Sequence, residues 1–153
     1  MKLFQMTFLA LALVFLVSCS EDNATSSRQV PFPQSVTISI AGQNVTNTAI
    51  RTGMANSTLF VARPSRVEPA LTVWVKFSGP SMMNPGSGMF QMYDDGSHGD
   101  RIPGDGEYCF ENFNEAPRMH MGNAMSGHYT FEFYCQDSSG NHSMHNNAWV
   151  DVR

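Results

Sequence analysis

Four aspartates fall within twelve residues. Asp94, Asp95, Asp100 and Asp105 lie in the stretch Asp94-Asp95-Gly96-Ser97-His98-Gly99-Asp100-Arg101-Ile102-Pro103-Gly104-Asp105-Gly106-Glu107-Tyr108. Like charges this close repel unless a cation, hydrogen-bond donors or solvent relieve them. The interspersed glycines let the backbone turn tightly and point carbonyls inward. Hard oxygen donors on a flexible loop suit Ca²⁺. The spacing is not that of an EF-hand, because Gly96 and His98 stand where the third and fifth ligands should be. Two other readings stay open. Asp95-Gly96 and Asp105-Gly106 are turn dipeptides, so the carboxylates could simply cap and solvate a hairpin loop. The loop could also bind a partner.

A second set of donors is softer. All five histidines lie beyond residue 97. Met119, His120 and Met121, with Met125 and His128, form one group; His142, Met144 and His145 form another. Thioether and imidazole donors in an oxidising compartment suit Cu(I), or Cu(II) through the histidines. Against copper stands a plainer use, with Met filling gaps in a β core and His solvating loops.

Three cysteines are present: Cys19, Cys109 and Cys135. Cys19 sits at the end of a leader. Lys2 supplies a positive start, and Leu3 to Val17 is apolar apart from Gln5 and Thr7. As a helix that run would cover only about 22 Å, against a hydrocarbon core of about 30 Å. It reads as the h-region of a secretory signal. Leu16-Val17-Ser18-Cys19 resembles the lipobox of bacterial lipoprotein signal peptides. The resemblance implies a diacylglycerol thioether on Cys19, cleavage before it and acylation of the new amine. Two or more acyl chains, palmitate-like in length, make such anchoring stable. Ser20 stands where Asp usually signals inner-membrane retention. The resemblance therefore implies a lipid-anchored bacterial cell-envelope protein, on the outer membrane if the source is Gram-negative.

Lipidation of Cys19 would leave an even pair in an exported chain. A disulfide between Cys109 and Cys135 is the expectation. It would close a loop of about 27 residues and stabilise by roughly 3–4 kcal/mol in the chain-entropy model. The rival is a free thiol or thiolate-metal pair, without the CxxC spacing of a zinc or redox site.

The elements that must position these groups read as β-strands. Residues 1–18 form the leader, 19–34 the lipidated Cys and a polar, Pro-punctuated tether, and 35–153 a single folded domain. Period-two alternation marks Val36–Ile40, Ser57–Ala62, Ala70–Phe77, Gly88–Tyr93, Glu107–Phe113, His128–Gln136 and Asn147–Val152. In one strand Leu71, Val73, Val75 and Phe77 share a face; in another Tyr129, Phe131, Phe133 and Cys135 do. The chain holds twelve Gly and eight Pro, and no window beyond the leader holds a 3.6-residue period. The expectation is all-β: an antiparallel Ig-like sandwich of about seven strands.

The acidic stretch also carries a resemblance. Asp-Asp-Gly-x-x-Gly-Asp-x-x-x-Gly-Asp-Gly-x-Tyr resembles a motif of exported bacterial Ig-like modules of the choice-of-anchor X type. Gly127-His128-Tyr129 and the turn from Asp137 to Asn141 match its later strand and turn. The resemblance spans roughly residues 65–152. It implies an Ig-like fold and no particular activity. This chain departs from it in Cys109 and in the Met/His-rich insert.

Charge and missing motifs bound the function. The net charge is −4, with Lys+Arg 9 against Asp+Glu 13, so a basic nucleic-acid footprint is excluded. There is no Gly-x-Ser-x-Gly, His-Glu-x-x-His or P-loop. The expectation is a non-enzymatic, lipid-anchored envelope module that binds protein or glycan, with Asp94, Asp95, Asp100 and Asp105 as candidate ligands should Ca²⁺ stabilise the acidic loop. The alternative is a periplasmic copper-binding lipoprotein.

Overall fold

Alternating side chains decide which way each strand faces. The computed structural model describes residues 29–51, 57–80, 88–111 and 126–153. Strands β1 (Pro33–Ile40), β2 (Gln43–Asn44), β4 (Thr58–Pro64) and β7 (Tyr108–Glu111) form one sheet, in the order β2-β1-β4-β7. Strands β3 (Thr48–Ile50), β9 (Asn146–Val152), β8 (Gly127–Gln136), β5 (Thr72–Ser78) and β6 (Gly88–Met92) form the other, in that order. The inner faces meet through aromatic rings. Phe60 of β4 lies 5.3 Å from Phe131 and 6.4 Å from Phe133 of β8, centroid to centroid. The protein is a β-sandwich, and β1-β4-β7 facing β9-β8-β5 follows the strand order of Ig-type sandwiches.

The core has the alternation the sequence prescribes. Val73, Val75, Phe77, Tyr129, Phe131, Phe133 and Cys135 are all buried in it, with Ile38 and Ile40 from β1 opposite. Each large apolar side chain buried this way contributes about 1.5–3 kcal/mol. The stack continues to the sheet edge: Phe77 lies on Phe90 at 5.4 Å, and Phe90 on Phe110 at 4.6 Å.

The structure adds two short strands to the seven expected, and one pairing is parallel. Ala41 and Gly42 both take positive φ, 50° and 76°, making the two-residue hairpin that sends β1 back as β2. The chain then crosses to the other sheet, where β3 lies parallel to β9. Folded structure also starts earlier than Ser35. Val30 packs against the core, and Ser65 N donates to Phe32 O at 2.8 Å.

Candidate functional site

The acidic loop joins the edge strands of the two sheets. Tyr93, just after β6, exchanges both backbone hydrogen bonds with Cys109 of β7, at 2.8 and 2.7 Å. Beyond Tyr93 the chain doubles back along β7, and Glu111 N donates to His98 O at 2.7 Å. The His98 ring stacks on Tyr93 at 4.1 Å, which pins the loop to its own root. Gly99 has φ +90°, and a Cβ there would lie 2.7 Å from Leu59 Cδ1. Only glycine allows this close approach.

Three of the four aspartates converge. Carboxylate oxygens of Asp94, Asp100 and Asp105 all lie within 4.8 Å of one another. Backbone N–H groups hold each of them. Asp94 accepts from Gly104, Asp105 and Gly106 at 2.7, 3.1 and 3.0 Å. Asp100, buried, accepts from Gly96 at 2.7 Å and Ile102 at 3.0 Å. Asp105, exposed, accepts from Glu107 at 2.9 Å. Asp95 stands apart from this group and closes its own turn, accepting from Ser97 N at 2.9 Å and from the Ser97 hydroxyl. Those two bonds hold its carboxyl below the usual range. The capping role of the loop is therefore built in full. A carboxylate has about four lone-pair sites, so the three converging groups keep capacity for one hard cation.

The loop roofs a groove of about 380 Å³ on the outer face of the four-stranded sheet. Its floor is Leu59, Val61 and Cys109; Asp100, Ile102 and Asp105 stand along one wall. Burial pushes the Cys109 thiol up to about 11, with the charges of Asp100, Asp105 and Asp94 adding to it. A thiol so raised is protonated and unreactive at neutral pH.

Cys109 and Cys135 are both buried free cysteines, and the expected disulfide between them is not formed. Their orientations explain it. Cys109 pairs with Val61, whose neighbours Phe60 and Ala62 point into the core, so Val61 and Cys109 face outward into the groove. Cys135 pairs with Val73 and faces inward, packed in the core. Burial pushes its thiol up to about 12.

The softer donors divide. Met119, His120, Met121 and Met125 lie outside the described residues, as does Cys19. His128 is separate from the second group: its Nδ1 lies 2.6 Å from Asp151 Oδ1, and its ring stacks on Trp149. His142 and His145 both stack on Tyr134, at 4.9 and 5.1 Å. Met144 is 61% exposed. The Tyr134 hydroxyl donates to Met89 Sδ at 2.8 Å. Sequence reasoning missed Met89 and Tyr134, because only the sheet register brings β6 and β8 together across β5.

No protein-family profile matches the chain, and no curated protein matches it.

Proposed function

We propose that the chain is a lipid-anchored module of the bacterial cell envelope, held through Cys19, that binds an envelope protein or glycan without catalysis. The lipobox-like Leu16-Val17-Ser18-Cys19 and the choice-of-anchor-like motif support this reading. The observation that carries it is the acidic loop. Backbone hydrogen bonds preform it, it is tied to both sheets, and three of its carboxylates converge within 4.8 Å, a cluster with room for a metal ion. Such a loop stiffens a scaffold that presents surfaces. The test is flotation of the native protein with vesicles, mass spectrometry of its N-terminus, and cross-linking in envelope extract. A soluble, unacylated protein with no cross-linked partner or glycan would end the reading.

A second reading, copper binding, draws on the gathering of His142, His145 and Met89 around Tyr134. Protein purified without chelator and carrying near one copper per chain would favour it. Calcium or no metal would remove it.

A further inference from the structure

We propose that the solvent-facing surface of the five-stranded sheet binds an uncharged polysaccharide chain. This rests on the reading of the domain as a binding module, and names the ligand class and the surface. The outward positions of β5, β8 and β9 alternate with core residues and carry Trp74, Tyr134 and Trp149. A solvated antiparallel face ordinarily carries polar side chains. This one carries two indoles, and beside them the imidazoles of His142 and His145 stacked over Tyr134, which is itself only 6% exposed.

The rings are held in place within the protein itself. Trp74 Nε1 donates to Thr72 Oγ1 at 3.1 Å, so the indole lies along its own strand. Trp149 is 36% exposed, with His128 stacked beside it at 5.7 Å. Tyr134 is fixed by its bond to Met89 and by its two histidine neighbours, whose rings reach solvent. Side chains already ordered lose little freedom on binding.

Charge decides the kind of ligand. Lys76 Nζ lies 3.4 Å from Glu132 Oε2, and His145 Nδ1 lies 3.8 Å from the same oxygen. His128 pairs with Asp151. The charges on this face thus compensate one another. Among the described residues it lacks the unpaired basic patch that an anionic lipid or a nucleic acid requires. An uncharged chain of sugars complements it: flat C–H faces stack on the rings, and hydroxyls meet the amides and hydroxyls between them, such as Thr130 and Gln136. Spacing sets the length. Trp149 is opposite Thr130, and Trp74 is opposite Tyr134, four residues further along β8. The backbone positions of the two tryptophans are therefore about 13 Å apart along the strands and about 10 Å across them. That span fits several linked sugars, not one.

The test is affinity electrophoresis of the full-length protein in native gels. The gels contain hydroxyethylcellulose, laminarin, xylan or galactomannan, with dextran sulfate as the charged comparison. At least one uncharged polymer should retard the protein. Trp74→Ala and Trp149→Ala should each weaken that retardation by about tenfold or more, with circular dichroism unchanged. Arg63→Ala, exposed on β4 of the other sheet, should leave it as it was. Retardation that survives both tryptophan substitutions, or that occurs with dextran sulfate alone, overturns the proposal. So does mobility unchanged in every gel; cross-linking to an envelope protein would then still uphold the binding-module reading.

Discussion

Tyr93 and Cys109 exchange two backbone hydrogen bonds across the boundary between the sheets. This single bridge fixes where the acidic loop starts and ends. It also turns the Cys109 side chain towards the groove, away from Cys135 in the core.

The two thiols set a pH dependence. Folding raises Cys109 to about 11 and Cys135 to about 12, from 9.0. Between pH 9 and those values the unfolded chain has lost the proton and the folded chain has kept it. The stability they contribute is thus fully present below pH 9 and lost as pH rises to 11 and above. Urea midpoints should be insensitive to these thiols from pH 7 to 8.5 and fall above pH 9. Cys109→Ser,Cys135→Ser should flatten that fall. Both thiols of the native protein should alkylate in denaturant without prior reduction.

Calcium binding at Asp94, Asp100 and Asp105 would exist only in the folded state. A hundredfold excess over Kd adds about 2.7 kcal/mol, a rise in Tm of roughly 5–10 °C. Mg²⁺ should do much less. Asp105→Ala is the clean variant, because Asp105 is exposed and caps a single N–H. It should abolish the calcium response and leave the metal-free Tm nearly unchanged. A wild-type melting curve indifferent to millimolar calcium would leave the carboxylates as turn caps alone.

Asp94→Ala should behave differently. Three backbone N–H groups lose their acceptor, so the metal-free protein should lose about 2–4 kcal/mol, read by urea denaturation. A loss under about 0.5 kcal/mol would mean that water replaces the carboxylate freely.

Cys19→Ala should leave the precursor uncleaved and remove acyl mass from the N-terminus. Mass spectrometry of membrane-extracted protein reads both. A mature, unmodified N-terminus at another residue would refute the lipidation.

Most of the sandwich was legible because a strand half in water must alternate. Val73 to Phe77 and Phe131 to Cys135 announced their inner faces this way. β2 and β3 gave no such signal: they are two and three residues long and mostly exposed. Their placement rests on Ala41 in a positive-φ turn, an identity that does not advertise one. In the acidic loop, composition pointed to a cluster of four, yet Asp95 turned onto Ser97 because its nearest donors were local. An even count of cysteines suggested a bond. It carried no information on which face of its sheet each thiol would occupy.

The loop's course along β7 bears on how copies of this protein behave when crowded. A bare edge strand offers its amides as a template for another chain. On β7 those of Cys109 and Glu111 are already taken by Tyr93 and His98 of the same molecule. Strand addition by a neighbouring copy is therefore obstructed along β7, where the molecule's own loop has already filled the edge.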